Sequence, residues 1–370
     1  MKKLQPLLLP ALFIFFLSCK NEQSDNSITI KDFRKSLQPF LHSVVAKGWV
    51  TYHDSAQIKN ITDEELTRLT RSENPVLRAT ALWEMMDRSS FNHFDIVINH
   101  LSDTAIIVVD VGEFGAKFIT VSDYILQEAT WETEAAKEKT IEAVLTKHNY
   151  LQSAYSILRT LEPQEKYYPY VKDIAMRTMP ENTNNLNTVK FRDIEYALYG
   201  LAKFRKKEDI PAIKNKLSEH IWEISDISFR LMQEFPDTAY LDVLQTYHRQ
   251  EFYHFSGNRP YGFSGFYSDN ASPENFIDAL VVQQNERSAK LLDTILTTRP
   301  KYTCMPDREN IIRAVIMAIF EHPCPAYTTL RNKIAPKAKE ILKERIITPF
   351  VIDSVPPASG TTKRKIHWFS

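Results

Sequence analysis

The stretch SENPVLRATALWEMMDR at 72–88, followed by SSFNH at 89–93 and FDIVINHL at 94–101, decides the fold. Asn74 stands where a helix N-cap is wanted, and Pro75 takes the first helical position, where a missing N–H costs nothing. Leu77, Ala81, Leu82, Met85 and Met86 follow at helical spacing and predict one apolar stripe. A second amphipathic segment begins at Phe94 after only a short polar turn. A helix, a tight turn and another helix cannot bury their apolar faces alone, so neighbouring units must cover them. The predicted fold class is therefore all-α, built from stacked antiparallel helix pairs.

The composition agrees. The chain has 370 residues, with Lys+Arg and Asp+Glu both at 46, so its formal net charge is zero. No basic excess points to nucleic acid. Hydrophobic residues at 43% and charged residues at 25% are ordinary for a folded domain. Glycine is scarce, with 8 against 19 prolines, which argues against an all-β chain of glycine-rich turns.

Outward from 72–101 the same signals recur. Gly48 is a helix stop after an apolar run at 33–45, and Thr62 with Glu65 forms a capping box. Further helices are predicted over 131–148, 188–204 and 239–255, the helical rhythm continues over 275–297 and 310–322, 326–346 reads as a last helix or pair, and 151–161 and 167–179 read as a pair. NPVLRATALWEM, with Pro75 at the turn, Arg78 early in the second helix and small Ala79 and Ala81, resembles a HEAT repeat. The segment 210–235 repeats the pattern, with Pro211 near its start, a turn at Ser225 and Asp226, and Arg230 in the place of Arg78. The resemblance implies a HEAT-like α–α superhelix, a right-handed solenoid of ~40-residue units with a concave binding face. It is expected over 29–346, with a polar breaker at 180–187 as a candidate sub-boundary and an extended tail over 347–370.

Two interruptions break this pattern. IIVV at 106–109 with Gly112 and Gly115 disfavours the expected helix, so 110–124 reads either as an inserted hairpin or as a distorted second helix. The stretch 252–273 crowds aromatics around Gly257, Gly262 and Gly265, and supplies the candidate binding residues Tyr253, Arg259, Tyr261, Phe263, Phe266 and Tyr267. Such a loop fits three roles: a segment pinned by its own aromatics, a surface for a protein partner, or a stacking site for a glycan or other ligand. Arg259 would suit an anionic group.

The first residues give an address. Lys2 and Lys3 precede an apolar run at 7–17, which is too short to span a bilayer comfortably. Phe16, Leu17, Ser18 and Cys19 complete a segment that resembles a bacterial lipoprotein signal. The resemblance implies removal of 1–18 and lipidation of Cys19. Residues 19–28 then read as a flexible tether, and charges soon after Cys19 resemble export tags of some Gram-negative surface lipoproteins. The expected site is the bacterial cell envelope at the outer membrane, and either leaflet fits.

Chemistry-bearing motifs are sparse. There is no GxSxG elbow, Walker loop, HExxH, CxxC pair or calcium loop, so no cofactor, metal ligand or catalytic residue is assigned. Glu251 with His254, and His220 with Glu223, share spacing with bridged metal sites but lack the further carboxylates such sites need. Cys304 and Cys324 flank a predicted helix of about 12 residues, which at about 1.5 Å per residue holds them too far apart to pair, and they are expected as free, buried thiols. The expected function is a lipid-anchored scaffold or binding protein that presents a helical-repeat surface to a protein partner, without catalysis. The alternative is a glycan- or ligand-binding protein, or an enzyme, working through 252–273.

Overall fold

In the stretch around Asn74 the sequence signals become geometry. Thr62 Oγ1 accepts from Glu65 N at 3.2 Å while Thr62 N donates to the Glu65 carboxylate at 3.0 Å, closing the capping box of a helix over Asp63–Leu69. Asn74 accepts from Val76 N at 2.9 Å and Leu77 N at 3.3 Å, and opens the helix Pro75–Asp87. The apolar stripe from Leu77 to Met86 is buried. A computed structural model describes residues 28–50, 58–110, 115–131, 133–178, 190–250, 272–298 and 308–347. Sixteen α-helices and one two-stranded sheet occur among them, so the chain is predominantly α-helical.

The chain divides into two compact units. The first comprises Met1–Asn92 and Ala105–Val121. It holds α1 (Gln38–Lys47), α2 (Asp63–Leu69), α3 (Pro75–Asp87), β1 (Ile106–Asp110) and β2 (Ala116–Thr120). Gly48 ends α1 in the left-handed region at φ 73°, a conformation glycine adopts without a Cβ penalty. Ile28, the last residue of the expected tether, is already bridged to Ser72. Arg78 donates to the carbonyls of Ser72 at 2.7 Å and Glu73 at 3.0 Å, which locks the turn before its own helix.

The interruption over 110–124 resolves as a hairpin followed by a helix. β1 and β2 pair antiparallel, Ile106 opposite Thr120 and Val108 opposite Phe118. Val50 joins the far edge of β1, donating to Val108 O at 2.8 Å and accepting from Asp110 N at 3.2 Å. Ile107, Val109 and Ile119 point inward and are buried, and β1 packs against α3. β-branched residues suit this half-buried pleated surface better than a helix.

The second unit comprises His93–Thr104 and Ser122–Ser370. Its helices are α4 (His93–His100), α5 (Val121–Glu128, whose first residue belongs to the other unit), α6 (Glu134–Lys147), α7 (Gln152–Thr160), α8 (Tyr168–Ala175), α9 (Phe191–Ala202), α10 (Ile210–Glu219), α11 (Asp226–Glu234), α12 (Leu241–Gln250), α13 (Pro273–Val281), α14 (Glu286–Thr297), α15 (Arg308–Glu321) and α16 (Thr328–Ile347). Alternate helices pack on one another. α7, α9, α11, α13 and α15 form one row, each against the next, while α4, α6 and α8, and then α10, α12 and α14, pack in companion rows.

The structure differs from the sequence reading in three places. α8 packs chiefly against α9 rather than pairing with α7. The stretch 275–297 is two helices, because Gln284 takes a left-handed φ of 50° and Asn285 then caps α14 through Ser288. Cys324 is a free thiol, but it is half-buried rather than buried, since it sits at the start of an exposed turn. Cys304 lies outside the described residues.

Row register is fixed by polar groups as well as by packing. Asp123 of α5 accepts from Ser153 N at 2.7 Å and Gln152 N at 3.3 Å, and so caps the start of α7, whose own N-cap Leu151 has no side chain able to do so. Lys203, just past α9, donates to Arg159 O at 3.0 Å and Leu161 O at 3.1 Å at the far end of α7. In the companion helices Arg177 donates to Asn149 O at 2.7 Å and Lys216 to Arg177 O at 3.1 Å. Gly200 allows the closest approach: a Cβ there would stand 3.0 Å from Leu158 O of α7.

Candidate functional site

Every site residue expected from the sequence, Cys19 and Tyr253, Arg259, Tyr261, Phe263, Phe266 and Tyr267, lies outside the described residues. So do the breaker at 180–187, the C-terminal tail and the Glu251–His254 pair. What is described is the frame on which the aromatic loop is mounted. Phe229 of α11, Tyr247 of α12 and Phe276 of α13 pack ring to ring with centroids 5.1–5.5 Å apart. His248 stacks near Phe276 at 6.4 Å, and burial pushes its imidazole down to about 4, so the ring is neutral at neutral pH. Asp226 accepts from Ser272 N at 2.6 Å, fixing the point where α13 begins. The described residues on either side of the segment, in α12 and at Ser272, are thus held by ring packing and by Asp226.

One strongly perturbed carboxyl among the described residues is a group the sequence reading passed over. Glu195 of α9 is 1% exposed and accepts from Ser225 N at 2.8 Å, Ser225 Oγ at 2.8 Å and Ser228 Oγ at 2.5 Å. Burial pushes its carboxyl up to about 7, against the pull of these donors. Two hydroxyls beside a carboxyl are the ingredients of a nucleophile and its base, but Ser225, Ser228 and Glu195 are all buried. The cluster sits at the amino end of α11, where Ser225 Oγ accepts from Ile227 N at 3.2 Å and Glu195 holds Ser225 in place.

A second buried carboxyl closes a one-turn helix. Asp209, 1% exposed, accepts from Tyr168 Oη at 3.0 Å and pairs with Lys172 Nζ at 2.7 Å. Its position is the last residue of a one-turn helix that leads into α10, and Tyr167, Tyr240 and Tyr327 occupy the same place before α8, α12 and α16. All four are buried. Tyr327 Oη bonds Ser288 Oγ at 2.7 Å and donates to Val281 O at 2.7 Å. This buried residue recurs before α8, α10, α12 and α16 at unequal intervals, and no such segment precedes α14. His220 Nδ1 lies 3.1 Å from a Glu223 carboxylate oxygen, and its ring stacks on Phe191 at 4.5 Å, a local pairing between two helices. Among the described residues no group of three or more His, Cys, Asp or Glu could hold a metal ion.

The surface carries the remaining signals. The companion helices are joined by exposed ion pairs: Lys166 with Glu142 at 3.3 Å, Lys214 and Arg287 with Asp242 at 2.5 and 2.8 Å, and Lys333 with Asp293 at 2.5 Å. Solvent screens such exposed pairs, so they contribute little to stability. Large apolar side chains stand exposed at Trp49, Ile106, Phe118, Tyr150 and Trp222. No described helix is long and apolar enough to cross a membrane. The site thus defines a helical protein whose buried polar groups join helices to one another, with apolar side chains left on its surface. No protein-family model, curated protein or solved structure matches the chain.

Proposed function

We propose that the protein is a lipid-anchored scaffold of the bacterial cell envelope, in which a HEAT-like α–α solenoid presents its surface to a protein partner. The observation that carries the solenoid reading is the alternate-helix packing of the second unit, α7 on α9 on α11 on α13 on α15, with companion helices beside it. Repeats of this kind stack so that each unit contacts its neighbours, which leaves long, regular faces free for a ligand. The buried carboxyls support the same reading, since they hydrogen-bond across stacked helices. The anchor rests on the segment ending at Cys19.

Two measurements test this. Mass spectrometry of the protein purified from a Gram-negative host should find an acylated cysteine at the mature amino terminus. Cross-linking in intact envelopes, followed by detergent extraction and capture, should return a recurring protein whose recovery falls when surface residues of the companion helices are exchanged. Repeated capture of nothing above a control lipoprotein would sink the scaffold reading.

A further inference from the structure

Among the described residues, three of the five exposed large apolar side chains belong to the first unit: Ile106 is 55% exposed, Trp49 44% and Phe118 38%. They share one surface. Val108 is paired with Phe118, and Ile106 lies two residues before Val108, on the same face of the hairpin. Buried Val50 is bridged to Val109 at the far edge of β1, which brings its exposed neighbour Trp49 alongside the same hairpin. The inward face is complete, with Ile107, Val109 and Ile119 buried. Tyr150 and Trp222, by contrast, stand singly on separate turns of the other unit.

The position of the amino terminus says what covers this face. Ile28 is bridged to Ser72 and so belongs to this same unit, and residues 20–27 separate it from Cys19 in the sequence. Extended, they reach roughly 30 Å at most from a lipidated Cys19. A unit held that close to a bilayer experiences it at an effective concentration on the order of mM, so weak individual contacts suffice. Tryptophan, phenylalanine and isoleucine with an adjacent lysine, here the exposed Lys47, are the side chains that settle at a lipid–water interface.

We infer that the outward face formed by Trp49, Ile106 and Phe118 rests on the lipid surface to which the amino terminus is attached. The inference depends on the anchored reading above and adds to it an orientation: the anchor and the hairpin face touch the same leaflet.

The test uses the full mature chain, reconstituted in phosphatidylethanolamine–phosphatidylglycerol vesicles with or without brominated acyl chains. Trp49 emission is isolated by subtracting the Trp49→Phe variant. It should fall by about half or more in the brominated vesicles, because bromine quenches an indole seated at the depth an interfacial tryptophan takes. The Ile106→Ser, Phe118→Ser double variant, altered only at exposed positions, should restore the emission while its circular dichroism stays unchanged. Equal Trp49 emission in both vesicles, with Cys19 acylated by mass spectrometry, overturns the docking and leaves the anchor standing. An unacylated Cys19 removes both. A detergent-free dimer that the double variant dissociates would assign the face to a second copy instead.

Discussion

Placing a side chain at Gly200 tests the row packing directly. Gly200 lies in α9, and an added Cβ would meet Leu158 O at 3.0 Å, Leu158 Cβ at 3.2 Å and Leu158 C at 3.6 Å. The obstacle is mostly backbone of α7, so α7 and α9 must part by a few tenths of an ångström. Two effects then compete in Gly200→Ala. Alanine should stabilise a helix interior over glycine by about 0.8–1 kcal/mol. Overpacking a tight contact costs about 1–3 kcal/mol. The net expectation is a loss of about 1 kcal/mol, or about 2 °C in melting temperature for a unit of this size. Gly200→Val adds two methyls and a lower helix propensity, and should lose about 3 kcal/mol or more. Thermal and urea unfolding followed by far-ultraviolet circular dichroism read both. An alanine variant more stable than the parent by the full helix-propensity gain would refute the reasoning, because it would mean that α7 and α9 do not approach at this point.

Further predictions concern buried polar groups. Glu195 holds its proton up to about pH 7 in the folded chain, well above the ordinary 4.5, so the folded state binds more protons between those values. Its contribution is fully present below about pH 4.5 and declines as pH rises through 7. The decline amounts to at most a few kcal/mol, since each tenfold change in proton affinity is worth about 1.4 kcal/mol. Glu195→Gln should flatten that slope, and an unchanged slope of stability against pH would remove Glu195 as its source. Tyr327→Phe should cost about 1–2 kcal/mol, since Val281 O and Ser288 Oγ lose their partner. Tyr240→Phe, at the equivalent position, should be neutral or mildly stabilising by calorimetry, because the buried Tyr240 hydroxyl has no hydrogen-bond partner among the described residues.

The parts of the fold legible in the sequence are those whose signals are local. Asn74, Pro75 and the stripe from Leu77 to Met86 specify α3 within one short window, so cap, first turn and buried face could be read together. The hairpin was only half legible. IIVV excluded a comfortable helix, but pairing with 116–120 depends on a register no single strand declares. The break between α13 and α14 was hidden because Gln284 adopts the left-handed conformation that glycine usually takes. Glu195 was hidden for a different reason. In FRDIEYALYGLA it looks like an ordinary solvent-facing residue, and only α11, some thirty residues further along, turns its side into the interior. The one-turn segments closing on Tyr167, Asp209, Tyr240 and Tyr327 were hidden because they recur at unequal intervals along the chain, so no single period exposes them.

The caps that α7 receives from outside itself bear on how the second unit comes apart. Asp123 closes the start of α7 and Lys203 its end, while Glu195 holds Ser225 at the start of α11. α7 is thus finished at both ends by residues that lie outside it, whereas α11 keeps the cap of its own Ser225, whose hydroxyl accepts from Ile227 N. Pulling α5 or α9 away strips backbone amides or carbonyls of α7, as well as apolar surface. A chain cut between α5 and α7 would therefore carry a frayed α7 however well its apolar face were covered, while α11 would keep its first turn.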